Sequence, residues 1–285
     1  MKFKSKIKFV GSSTDYNKSQ FVICGIPYDV TSTFRHGSQN GPDMIRYYSG
    51  SLETFSPLHE KDITDFNFVD VGDMIFKKKK PVDAVKTIEN YVSPFVRKNK
   101  KVIYLGGEHL VTFPVVKKYH EKYKDLKVLY FDAHADMRMD FNGNKLSHAT
   151  VARRIVDVIG VKNIYMFGIR SFERKEYGFI RKNGIFCVDK LTKIKSIINK
   201  IKNYPVYVSL DLDVFDPSCL SGVGNPEPGG IFYDDFVEIL LPLFSKIKKN
   251  IVSLDVVELM SKYDLSGNSA VFASKIIREL ILTLI

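Results

Sequence analysis

The sequence has no tryptophan and only three cysteines, Cys24, Cys187 and Cys219, scattered through 285 residues. Three isolated thiols exclude a disulfide framework and a Cys-x-x-Cys metal site, and they fit a reducing compartment. Cys24 and Cys187 lie inside apolar, strand-like runs and are expected to be buried. Cys219 lies in a loop with no dedicated base beside it, which argues against a nucleophilic role. No window reaches the ~20 consecutive apolar residues needed to cross a bilayer. Met1 to Lys8 alternates lysine with apolar residues and does not form a signal peptide. No membrane partner and a cytoplasmic location are therefore expected. Acidic residues are the scarcer charge, 32 against 43 basic, for a formal net charge of +11. The lysines are spread along helix-like segments without a recognition motif, so no nucleic-acid partner is expected. The one dense basic run, Lys77 to Lys80, follows a strand and precedes a proline, and reads as a solvated loop.

What is abundant is short apolar runs. They are Phe21 to Cys24, Phe66 to Val71, Val102 to Leu105, Val128 to Phe131, Ile164 to Phe167, Ile185 to Val188, Val206 to Leu210 and Ile251 to Val257. Continuous rather than alternating apolarity is what strands covered on both faces show. Between them, apolar residues recur at three- and four-residue spacing. Val82, Val85, Ile88 and Val92 make one helical stripe, with Pro94 expected to kink or end it. Leu191, Ile194, Ile197, Ile198 and Ile201 make a second; Phe236, Ile239, Leu240 and Leu243 a third; Ala273, Ile276, Ile277, Leu280 and Ile281 a fourth. Strand alternating with helix predicts a three-layer α/β/α fold with a mainly parallel sheet of about eight strands. No repeat or long linker divides the chain, so residues 1–285 read as one domain.

A ligand site in such a fold belongs at the carboxyl ends of the strands. Asp132-Ala133-His134-Ala135-Asp136 directly follows one apolar run, and Asp211-Leu212-Asp213 ends another. An extended backbone sends alternate side chains to one side, so each motif aims its ligand-type residues at a common point. Four aspartates gathered there would repel and take up protons unless cations compensated them, and two divalent ions would balance four carboxylates. The plainer alternative is that each Asp caps a strand or opens a turn. Gly106-Gly107-Glu108-His109 follows a third run, its glycines allowing a sharp turn that presents His109. The loop from Gly222 to Gly230, stiffened by Pro226 and Pro228, reads as an ordered rim. His36, His59 and His120 match no ligand motif.

Taken together, these motifs resemble the ureohydrolases, the family of arginase, agmatinase and their relatives. The likeness spans nearly the whole chain and adds Gly25-Ile26-Pro27-Tyr28-Asp29, Gly41-Pro42-Asp43-Met44-Ile45-Arg46, Ser147-His148-Ala149-Thr150, Ser209 to Ser218 and Asp255-Val256-Val257-Glu258. The resemblance implies an arginase-like fold and two Mn²⁺ ions bridged by Asp132, Asp211 and a hydroxide. His109 and Asp136 would complete one ion's ligands, and His134 and Asp213 the other's. It further implies that Glu258 grips a guanidinium, that Asp136 steers the attacking oxygen, and that His148 transfers the proton released to the leaving amine. Asp216-Pro217 would shape the turn beneath the site.

Carboxylate and imidazole also accept Zn²⁺, Co²⁺ or Fe²⁺, so the choice of manganese comes from the resemblance alone. Arg138 stands where arginases carry an Asn for the α-amino acid, which points away from arginine; the overall pattern resembles the agmatinase branch. The implied reaction is agmatine to putrescine and urea, a step of polyamine biosynthesis. Asp140 would pair with the distal ammonium; an inward Arg138 would instead favour an acid such as guanidinobutyrate. N1-aminopropylagmatine and arginine stay open, as does a one-metal amide deacetylase. The resemblance also implies a homo-oligomer, a trimer or hexamer.

Overall fold

In the computed structural model, which describes residues 2–5 and 7–285, all eight apolar runs are strands of one sheet. They are β1 (Phe21–Ile26), β2 (Phe68–Asp73), β3 (Lys101–Gly106), β4 (Lys127–Phe131), β5 (Ile164–Phe167), β6 (Phe186–Val188), β7 (Val206–Asp211) and β8 (Ile251–Val257). Their order across the sheet is β2-β1-β3-β8-β7-β4-β5-β6, and every neighbouring pair is parallel.

The uninterrupted apolarity has the expected cause, because alternate residues of each strand enter two different cores. Ile23, Ile103, Leu129, Val208 and Leu254 pack on one face with Ile45 of α1 (Gly41–Ser49) and Ala273, Ile277 and Leu280 near the carboxyl end of the chain. Val22, Val102, Val128 and Tyr207 pack on the other. There they meet Ile88 and Val92 of α2 (Pro81–Arg97), Val115 and Tyr119 of α3 (Thr112–Lys122), and Ile155 of α4 (Val151–Ile159). The other helices of seven or more residues are α5 (Arg174–Asn183), α6 (Leu241–Ile247) and α7 (Asn268–Leu284). At the start of α7, Asp264 Oδ2 accepts the backbone N–H of Ala270 at 3.0 Å. The buried face of the helix holds it, each aliphatic side chain contributing roughly 1.5–3 kcal/mol.

Four details differ from the sequence reading. Pro94 does not end α2, which runs to Arg97: the ring removes one N–H only three residues before the helix stops, and Pro94 O still accepts from Lys98 N at 3.1 Å. Val82 is 54% exposed and lies off the buried stripe, which continues through Ala84, Ile88, Val92 and Phe95. The stripes at 191–201 and 236–243 are not single α-helices, since Leu191–Ile197 winds as a 3₁₀ segment and Phe236–Leu240 as a π-helical turn before α6. Cys187 is half-buried because β6 is the edge strand, whereas Cys24 is buried in the interior.

β3, β8, β7 and β4 are consecutive neighbours at the centre of the sheet. Between β7 and β4 the chain direction reverses, β7 leading toward β8 on one side and β4 toward β5 on the other, which opens a crevice at their carboxyl ends. No helix of the described residues is long and apolar enough to cross a membrane.

Candidate metal centre

Three aspartates divide their two oxygens in the same way. Asp132 Oδ1 accepts the backbone N–H of His134 at 2.6 Å, Asp211 Oδ1 that of Asp213 at 2.8 Å, and Asp213 Oδ1 that of Ala133 at 3.0 Å. The turn-opening role anticipated for Asp therefore coexists with the ligand role: one oxygen pins the turn and the other is left for the centre. Asp132 Oδ2 lies 3.0 Å and Asp211 Oδ2 2.9 Å from His109 Nδ1, and Asp213 Oδ2 lies 2.8 Å from His134 Nδ1. Asp136 Oδ2 accepts from Tyr130 Oη at 2.8 Å and sits 3.6 Å from His109 Nδ1. The atoms form two groups, His109/Asp132/Asp211 and Asp132/His134/Asp213, each within 4.8 Å and sharing Asp132.

Whether this donor set suits cations is answered by Asp132 Oδ2, a buried oxygen with no hydrogen-bond partner. A carboxylate oxygen taken out of water in that way costs free energy until a proton or cation meets it. The rest of the cluster agrees. Burial first, and then the charge of neighbouring aspartates, pushes Asp136, Asp211 and Asp213 up. Burial also opposes charge on His109, yet the Asp132 and Asp211 carboxylates beside its Nδ1 carry it well above its ordinary value. Groups that compete for protons like this are the ones divalent cations stabilise.

His109 is oriented from behind. Its Nε2 lies 2.9 Å from Ser209 Oγ, whose own hydrogen goes to Asp255 Oδ1 at 2.7 Å. Asp255 Oδ2 takes further bonds from Thr112 at 2.8 Å and Tyr207 at 2.5 Å. With Ser209 committed as donor to Asp255, His109 Nε2 is the donor to Ser209, and Nδ1 keeps its lone pair for the centre. Tyr130 stacks on the imidazole at 4.8 Å between centroids. This places Asp255, which the sequence alone left unassigned.

The groups open into a cavity of about 430 Å³ that Thr33, Phe141, His148, Phe172, Asn225 and Glu258 also line. Glu258 is buried, and its Oε1 accepts the backbone N–H of His109 at 2.6 Å; no lysine pairs with it among the described residues. Its φ of 67° is a conformation that a non-glycine residue adopts only when its surroundings impose it. Gly224 faces it, and a Cβ there would lie 3.1 Å from Glu258 Oε2. Burial holds the Glu258 carboxyl well above the usual range. His148 is half-buried at the wall, its imidazole pushed down to about 4, chiefly by burial. Asp216 binds the backbone N–H groups of Gly229 and Gly230 at 2.8 and 3.1 Å, anchoring the rim loop as a turn residue.

Arg138 reaches the cavity wall, but its charge is already met. Nη1 is 3.1 Å from Glu173 Oε1, Nε is 3.8 Å from Glu176 Oε2, and the guanidinium lies over the Phe141 ring at 4.9 Å. Asp140 is not brought to the cavity. It is exposed and accepts from Gly143 N at 3.0 Å, because an aspartate three residues before a glycine closes the turn of its own loop. Two further acidic residues that line the cavity, Glu173 and Glu176, were not anticipated. They follow β5, so the strand-end rule applied to that strand could have found them.

The sequence profile of the arginase family matches residues 19–283. The agmatinase of Bacillus subtilis is 37% identical over 276 residues, 96% of this chain and 95% of that protein. The N(1)-aminopropylagmatine ureohydrolase of Thermococcus kodakarensis is 32% identical over 269 residues, 91% of this chain and 89% of that protein. The solved structure of the agmatine ureohydrolase of Thermoplasma volcanium superposes with a TM-score of 0.88 at 30% identity, covering 99% of this chain and 95% of that one. The chain belongs to the arginase family. Within it the chain falls in the agmatinase branch, and it is a hydrolase of the ureohydrolase class, the class that acts on guanidino compounds.

Proposed function

We propose that the chain hydrolyses agmatine to putrescine and urea with two Mn²⁺ ions. One ion would be held by His109, Asp132, Asp136 and Asp211, the other by Asp132, His134, Asp211 and Asp213. Bound there, such a pair supplies a water nucleophile at neutral pH.

The protein's own groups do the rest. Glu258, clamped by the His109 amide, offers a carboxylate to the fork of guanidinium N–H donors and sets the carbon in place. Asp136, steadied by Tyr130, takes a hydrogen bond from the attacking water and aims it. His148, neutral at pH 7 because burial depresses it, accepts the proton released on attack and delivers it to the departing amine. One C–N bond breaks as the C–O bond forms, giving urea and a primary ammonium.

The observation that carries agmatine as the substrate is the cavity wall. Arg138 is one positive charge set against two carboxylates, Glu173 and Glu176. The surplus is negative and suits the ammonium end of agmatine or its aminopropyl derivative, while it disfavours the carboxylate of guanidinobutyrate or arginine. A one-metal amide deacetylase would keep the Asp132-x-His134 element but would not need His109, Asp136 and Asp213, which complete a second donor group. Urea release measured across agmatine, N1-aminopropylagmatine, guanidinobutyrate and arginine, with Mn²⁺ added, tests the reading. Highest kcat/KM on an amine-tailed guanidine supports it; highest kcat/KM on guanidinobutyrate, or no urea from any, overturns it.

A further inference from the structure

Glu108 adjoins His109 but turns away from the metal centre. It is fully buried, and its carboxylate collects four donors from one short segment. Oε2 accepts from the backbone N–H groups of Val30 at 3.0 Å, Thr31 at 2.6 Å and Ser32 at 3.0 Å, and Oε1 accepts from Thr31 Oγ1 at 2.9 Å. Thr31 Oγ1 in turn accepts the backbone N–H of His148 at 2.9 Å. The two segments are also locked main chain to main chain, with Glu108 N bonded to Tyr28 O at 2.8 Å. A Cβ on Gly107 would lie 2.1 Å from Tyr28 O, so a glycine is required at that crossing.

A purely structural turn anchor would have no reason to reach the proton-transfer group, and this one does so through a single hydroxyl. His148 otherwise depends on its own helix start, where Ser147 and Thr150 cap each other. That cap fixes the turn's own shape and leaves the His148 N–H to be held from outside. The Thr31 hydroxyl bonds the main chain of His148 itself to the segment anchored at the strand end carrying His109, while the helix that follows is tied separately, Arg153 N–H donating to Asp136 O at 3.0 Å. We infer that Glu108 and Thr31 are positioning residues that set the His148 imidazole against the metal centre. This inference rests on the proposed role of His148 in proton transfer.

The test compares Thr31→Val, Thr31→Ser and wild type as Mn²⁺-loaded proteins, reading metal content, kcat, KM, and backbone hydrogen exchange by mass spectrometry over residues 146–150. Thr31→Val keeps the shape but removes the hydroxyl. Its exchange at 148 should accelerate and kcat should fall about tenfold, the scale of one lost hydrogen bond, with KM and metal content as in wild type. Thr31→Ser, which keeps the hydroxyl, should restore both. Glu108→Gln, which weakens the anchor without changing its size, should shift exchange over residues 30–32 and 148 in the same direction, and it serves if Thr31→Val does not fold. Wild-type exchange and wild-type kcat in Thr31→Val overturn the inference. So does faster exchange with unchanged kcat, loss of metal in step with kcat, or failure of Thr31→Ser to restore. Should wild type release no urea from any guanidine, the proposed reaction fails on its own, and the exchange measurements still decide whether the hydroxyl holds His148.

Discussion

Glu258 Oε1 accepts the backbone N–H of His109 at 2.6 Å, which ties the carboxylate expected to hold substrate to the main chain of a proposed metal ligand. The bond fixes where a guanidinium carbon would sit relative to the cations. Glu258→Gln keeps size and hydrogen bond but loses the charge. Turnover should fall by about 2 kcal/mol or more in transition-state binding, while metal content stays at the wild-type level. Metal analysis beside a urea assay checks both; loss of metal would move Glu258 among the ligands. Gly224→Ala, which sets a Cβ 3.1 Å from Glu258 Oε2, should lower turnover in a folded protein.

Ser209 and Asp255 line no part of the cavity yet hold His109 in the tautomer that would ligate through Nδ1. Ser209→Ala or Asp255→Asn should weaken metal affinity by about 10–100-fold, the usual effect of removing a group that orients a metal-bound histidine. Titration of the metal-free protein with Mn²⁺ measures it. Unchanged affinity in both variants would contradict the orientation argument.

Glu173 is the half-exposed carboxylate of the cavity wall and the partner of Arg138. Glu173→Gln should raise KM for an amine-tailed guanidine by roughly tenfold and shift preference toward guanidinobutyrate, because Arg138 then loses a counter-charge. Asp140→Asn should change neither, since Asp140 closes its own turn. Parallel KM values for agmatine and guanidinobutyrate decide the point.

His148 carries a pH signature. Its folded value is pushed down to about 4 from 6.5, chiefly by burial, which outweighs an opposing hydrogen bond with Thr31; the charges of His134 and His109 lower it further and that of Asp29 raises it. Between those two values the unfolded chain binds a proton that the folded chain refuses, so stability rises with pH across that window and is lost as pH falls through it. In metal-free protein, the drop in denaturant midpoint from pH 7 to pH 5 should be smaller in His148→Gln than in wild type. Equal drops would show that His148 is not held neutral.

The sheet was legible because its strands are buried on both faces: runs such as Val206 to Leu210 need no partner to be recognised. The His and Asp positions were legible for a related reason, since period-two spacing at a strand end fixes direction. Helices were read less well. Val151, Ala152, Ile155, Val156 and Ile159 bury one face of α4 at helical spacing, but they stand next to the more prominent His148 motif and were overlooked. α5 is mostly polar and stabilised by a capping box around Glu173 and Glu176, so it offers little apolar pattern. Asp140 misled because charge and proximity in sequence suggested a wall residue, whereas local turn chemistry used it. The linkage from Glu108 through Thr31 to His148 could not be read at all, since it joins segments 77 and 117 residues apart.

Asp132 belongs to both donor groups, and the account depends on two cations meeting there. Anomalous diffraction from crystals grown with Mn²⁺ tests this most directly. Two peaks are predicted, one on each side of Asp132, reached by His109 and Asp136 on one side and by His134 and Asp213 on the other. A single peak, or metal bound away from these side chains, would contradict it.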